Sequence, residues 1–207
     1  QLGPFLREQL GLDVSRVRSR ARAFGELVQR ELPVKVSRIC RGYGVTLRSY
    51  QVGAPLIREL GLEAQCDISD GFTVRSGNRC YVFYNMEQPP GRVRFTIAHE
   101  LGHVLLGHLG DGELTVYNRE SSSEDAPEEH TANVFASRLL APACVLHALG
   151  AVTPEQIAAV CDISMAAARF RAGRMGVLEQ RGKYGASPLE RQVLAQFQPY
   201  IDRVTCG

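Results

Sequence analysis

The apolar residues Val17, Ala21, Phe24 and Val28 recur at spacings of three and four within residues 14–32, and arginines fill the positions between them. At 3.6 residues per turn this predicts an amphipathic helix, whose basic side (Arg16, Arg18, Arg20, Arg22) reads as a solvated face. Pro33 can open a short second helix over residues 34–41, which Gly42 and Gly44 stop before an extended run over 45–50. Two β-rich segments, 71–75 and 79–84, flank Ser76-Gly77-Asn78 and predict a hairpin. Pro89-Pro90-Gly91 breaks the chain, and a helix is expected over 92–109. Between Gly110 and Pro127 the stretch is polar, including Ser121-Ser122-Ser123-Glu124-Asp125, and predicts a surface loop with no core of its own. A helix over 127–140 follows, with Asp125 and Pro127 as start signals and Pro142 just beyond its end. Residues 153–160 and 164–175 form two short helical patterns around Cys161-Asp162-Ile163, the spacing of a helix-turn-helix, and a last helix is expected over 188–204. The fold class is therefore α+β, a small antiparallel sheet packed on helices and followed by a helical part.

Composition narrows the class without naming a function. With 207 residues, 44% hydrophobic and 22% charged, the chain is long enough for a sizeable core. A net charge of +2 and a pI near 8.3 are too mild for a nucleic-acid or membrane surface. The six cysteines lack any C-x-x-C pair and read as reduced thiols rather than a disulfide framework. No run approaches the ~20 apolar residues of a membrane span, and the N-terminal residues lack a signal-peptide pattern. A soluble, cytoplasmic protein is expected.

The chemistry is concentrated in Phe95-Thr96-Ile97-Ala98-His99-Glu100-Leu101-Gly102-His103. Positions i and i+4 of a helix stand one above the other, so His99 and His103 can reach one metal ion. Ile97, Leu101 and Leu105 repeat along a neighbouring face and would bury the helix and hold the site rigid. Glu100 would then point near the metal without ligating it, as the general base of zinc-dependent peptide hydrolysis requires.

A hydrolytic zinc needs a third protein ligand. His108 lies five residues beyond His103, one short of the metzincin spacing, with Leu106 where that pattern has glycine. It reads as a surface residue or an outer-shell partner. On the helix over 127–140, Glu129, Asn133 and Ala136 share a stripe, so Glu129 could face the metal while small Ala136 allows close approach. Glu128 and Glu129 could equally complement the helix dipole in the first turn, and for Glu128 that is the preferred reading.

Together the two segments resemble the ImmA/IrrE family of metallopeptidases. The family's R-F-T-x-A-H-E-x-x-H helix is matched by Arg94-Phe95-Thr96-Ile97-Ala98-His99-Glu100-Leu101-Gly102-His103. Its E-x-x-A-N-x-F-A-x-x-L-L-x-P helix is matched by Glu129, Ala132, Asn133, Phe135, Ala136, Leu139, Leu140 and Pro142. One departure is Ala141-Pro142 where the family often has Met-Pro. The resemblance covers roughly residues 33–175; the expected organisation is a zincin-like metallopeptidase domain with N-terminal helices over residues 1–142 and a helix-turn-helix-like part over 143–207. The resemblance implies His99, His103 and Glu129 as zinc ligands and Glu100 as general base. It also implies a protein substrate, a helix-turn-helix repressor controlling mobile-element or DNA-damage genes.

Other functions compete with this one. The chain could be a non-proteolytic binding module, or half of a toxin and antitoxin pair, that docks a repressor or DNA. The second helix of the helix-turn-helix pattern begins Ser164, Met165, Ala166, Ala167, Ala168, which suits packing or docking better than base reading. Tyr81, Tyr84, Tyr117, His130 and Tyr184 are unranked candidates to stabilise the oxyanion. An extended substrate could add to an edge formed by residues 79–84, unless that strand is paired on both sides.

Overall fold

The computed structural model describes residues 30–109, 114–117 and 127–206. The expected helix over 14–32 falls outside these but for its last three residues, which are not helical. The chain divides into two compact units, one of residues 36–136 and one that holds the described residues 30–35 and 137–206.

In the first unit, helix α1 (Val36–Gly42) leads into strand β1 (Val45–Ser49). Helices α2 (Tyr50–Glu59) and α3 (Glu63–Ile68) follow, then β2 (Gly71–Ser76) and β3 (Arg79–Tyr84). Helix α4 (Pro90–Leu106), strand β4 (Leu114–Tyr117) and helix α5 (Pro127–Leu140) complete the run. The expected hairpin is present: β2 and β3 pair antiparallel from Gly71↔Tyr84 to Ser76↔Arg79, around a turn in which Gly77 takes a φ of 55°.

The strand order is β1-β3-β2-β4. The sheet is mixed rather than purely antiparallel, because β1 pairs parallel with β3, Val45 opposite Cys80. A parallel pair needs a long connection, and α2 and α3, which the apolar pattern did not reveal, supply most of it. The polar stretch after residue 109 also corrects the loop reading, since Leu114–Tyr117 pairs antiparallel with β2 as a fourth strand. Phe72, Val74, Phe83 and Ile57 form a buried cluster on the sheet, with Tyr50, Leu56 and Val116 packed against it.

The second unit is helical: α6 (Ala143–Ala148), α7 (Pro154–Cys161), α8 (Met165–Gln180) and α9 (Pro188–Thr205). A capping box between Thr153 and Gln156 starts α7, and Asp162 ends it with a left-handed φ of 52°. Ser164 then caps α8, which gives the expected helix-turn-helix arrangement. Buried Val145, Leu146, Ile157, Cys161, Ala168, Met175, Phe197 and Ile201 make this unit's core. Arg171 secures the chain leaving α5 by donating from Nε to the Ala141 carbonyl at 2.6 Å. No helix among the described residues is long and apolar enough to cross a membrane.

Candidate metal centre

Pro90 opens α4, where its missing N–H costs nothing, and Gly107 closes it with a φ of 77°. All seven residues from Ile97 to His103 are buried. A helix with one covered stripe would leave some of these exposed, so both sides of α4 must be covered. The sheet covers one side, where the Thr73 hydroxyl of β2 meets Glu100. Helix α5 covers the other, and it comes so close that a Cβ on Gly102 would lie 3.1 Å from Phe135 Cδ1 and 3.3 Å from Ala132 Cα.

This close approach brings Glu129 of α5 to the two histidines of α4. His99 Nε2 and His103 Nε2 face each other at 2.9 Å. The Glu129 carboxylate lies 3.3 Å from the first and 3.5 Å from the second. All three side chains are buried, and their donor atoms lie within 4.8 Å of one another. Tetrahedral zinc with bonds of ~2.0–2.1 Å sets its ligand atoms roughly 3.3 Å apart, close to the two carboxylate distances.

Hydrogen bonding on the far side of each ring supports a cation at this point. His99 Nδ1 lies 3.0 Å from Asn133 Oδ1, which can only accept from a ring N–H, so His99 Nε2 carries the lone pair. With no cation bound, the same Nε2 takes a proton more readily than a free imidazole: burial pulls His99 toward its neutral form, but the Glu129 carboxylate that it faces and the charge of Glu100 outweigh burial and raise its pKa. For His103, burial and the neighbouring His99 prevail over Glu129, and its pKa falls to about 3. Two nitrogens facing at 2.9 Å beside a carboxylate need a proton or a metal ion between them. The donor set of two imidazoles and a carboxylate fits a divalent metal.

Glu100 follows His99 but belongs to the opposite wall. Its carboxylate accepts from Thr73 Oγ1 at 2.6 Å, and both residues are buried. Thr73 carries no motif, and its only trace in the sequence is a hydroxyl between the apolar Phe72 and Val74. His108, just past α4, stands with its Nδ1 2.8 Å from His103 Nδ1. Burial lowers its pKa below the usual imidazole value. It touches a candidate ligand and does not join the His99, His103 and Glu129 group.

The remaining sequence candidates fall elsewhere. Strand β3 is paired on both sides, so it offers no free edge for a substrate; among the described residues the edge strands are β1 and β4. Tyr81 stacks on Phe83 against the sheet cluster. His130 is exposed on α5. Tyr184 stacks on His147 in the second unit and donates to the Met175 carbonyl. Glu128 is exposed beside buried Glu129, in keeping with a first-turn carboxylate facing solvent.

A mixed sheet against a buried helix, with two histidines one turn apart and a carboxylate from a second helix, defines an α+β protein with a cluster that could hold a metal ion. The chain belongs to the Peptidase_M78 family, the IrrE N-terminal-like domain, whose model matches residues 55–173, over half of the chain. This is the family that the paired helix motifs resemble, and membership supports a metallopeptidase function. A comparison with curated proteins finds no match.

Proposed function

We propose that the protein is a zinc-dependent endopeptidase in which His99, His103 and Glu129 hold the metal and Glu100 acts as general base. The observation that carries this reading is the convergence of three buried donors from α4 and α5, with the Glu100 carboxylate fixed beside them by Thr73. A zinc ion held there supplies Lewis acidity, which polarises a scissile carbonyl and brings the pKa of water down to about 7. Glu100 takes a proton from the attacking water and delivers it to the leaving amine. Burial of the site raises the strength of each of these electrostatic contacts.

The sheet suggests how a substrate reaches the site. Strand β4 lies at an edge, and its Tyr117 sits opposite Thr73, the residue that holds Glu100. An extended peptide adding to the side of β4 that no other strand pairs with among the described residues would run along the wall that carries the base. We take the substrate to be a cytoplasmic helix-turn-helix repressor of mobile-element or stress-response genes, on the strength of the family resemblance.

The test is to incubate the purified chain, loaded with equimolar zinc, with the helix-turn-helix repressor encoded beside it and to identify products by mass spectrometry. One cut site is expected. Glu100→Gln should lower the rate by roughly 10²–10⁴-fold, the usual contribution of a general base, while zinc content stays at one per chain. Cutting by Glu100→Gln at the wild-type rate would refute the assigned mechanism. Repressor binding with no product, unchanged in Glu100→Gln, would favour a docking function instead.

A further inference from the structure

We propose that His108 and Thr131 are positioning residues of the metal centre, forming a hydrogen-bonded strap that fixes the tautomer and orientation of His103. This rests on the reading of His103 as a metal ligand. The left-handed turn at Gly107 is what brings the strap into place: it folds the chain back so that the His108 N–H reaches the His103 carbonyl at 3.0 Å. The His108 ring then stands edge-on to that of His103, with centroids 4.9 Å apart and planes at 66°.

The direction of each bond follows from the first. His103 turns Nε2 toward His99 and Glu129, so ligation there requires a lone pair on Nε2 and the proton on Nδ1. The group facing that proton is His108 Nδ1 at 2.8 Å, which must accept it. His108 is then protonated on Nε2, which lies 3.4 Å from Thr131 Oγ1. The Thr131 hydroxyl accepts there and donates onward to the Glu128 carbonyl at 3.0 Å. The strap thus runs from a ligand on α4 to the first turn of α5, where its last acceptor is the peptide unit joining Glu128 to the ligand Glu129. One chain of bonds sets the orientation of His103 and ties it to the backbone that presents Glu129. His99 has its own counterpart in Asn133.

Partners that orient a metal-bound histidine typically change metal affinity 10–100-fold when removed. The experiment measures zinc affinity of the full chain by competition with a chromophoric chelator, and records the visible d–d spectrum of the cobalt(II)-substituted protein. His108→Leu should bind zinc 10–100-fold more weakly and shift the cobalt bands. His108→Asn, whose Oδ1 occupies nearly the place of Nδ1 and can accept from His103, should recover most of the affinity and the wild-type spectrum. Thr131→Val should lose a smaller factor. If His108→Leu does not fold when metal-free, judged by its thermal melt, His108→Asn and Thr131→Val carry the test. A folded His108→Leu with wild-type affinity and spectrum overturns the strap alone, as does His108→Asn no better than His108→Leu. A wild-type chain that binds neither zinc nor cobalt overturns the metal centre and the strap together.

Discussion

Within the site, the contact between Thr73 and Glu100 separates holding a metal from using it. A buried carboxylate with one firm donor at 2.6 Å is held in a single rotamer, and a base aimed in advance needs no reorientation during reaction. Hydrogen bonds to charged groups contribute about 1.5–3 kcal/mol, or roughly 10–100-fold if expressed in the transition state. Thr73→Val should therefore lower kcat by that factor with KM and zinc content little changed, and Thr73→Ser should restore it. Equal loss in both variants would show that the methyl packing, not the hydroxyl, matters. His99, Glu100 and His103 are legible in the sequence because a helix fixes their geometry locally. Thr73 is not, because its contact spans 27 positions and depends on strand register, where a slip of one residue would turn it to the other face.

Between elements, the decisive quantity is the separation of α4 and α5. Gly102 gives α5 room against α4, and its neighbours Phe135 and Ala132 are both buried. Gly102→Ala would gain about 1 kcal/mol of helix propensity but meets overpacking that typically costs ~1–3 kcal/mol. Because one of the crowded atoms is backbone, the expected net result is a lower melting temperature and weaker zinc binding, as α5 and Glu129 are pushed from the histidines. A thermal melt and a chelator titration would check both; unchanged zinc affinity would mean that α5 relaxes without moving Glu129. Helices α4, α5 and α9 were legible because proline marks each start and their apolar runs are long. Helix α2 was hidden by Gly53 and Pro55 in its middle. Helix α3 has six residues and none buried, so it prints no apolar stripe. Strand β4 has four residues in a polar stretch, and it exists because the β2 edge is there to pair with it.

Across the whole molecule, the cysteines report on both cores. Cys40, Cys80, Cys144 and Cys161 are buried and Cys206 is exposed. Burial pushes the Cys40 thiol up to about 12 and that of Cys144 up to about 11, in each case against backbone hydrogen bonds that pull the other way. Cys40 belongs to the unit of residues 36–136 and Cys144 to the other, so each thiol samples a different core. In the unfolded chain a thiol ionises near 9.0, whereas the folded chain keeps these two protonated to about 11 and 12. Folded pKa values raised above the unfolded ones give stability that is complete below about pH 9 and lost as pH climbs through 11 to 12. Buried Tyr43, raised to about 12 by its burial, adds a loss of the same sign. The melting temperature should therefore fall steeply above pH 9, and the double variant Cys40→Ala, Cys144→Ala should flatten that fall. Labelling with a thiol reagent at pH 8 supplies the independent check: Cys206 should react at once, and Cys40 and Cys144 only at the rate at which their cores open. Rapid reaction of Cys40 or Cys144 in the folded chain would show that its unit opens far more readily than its packing implies.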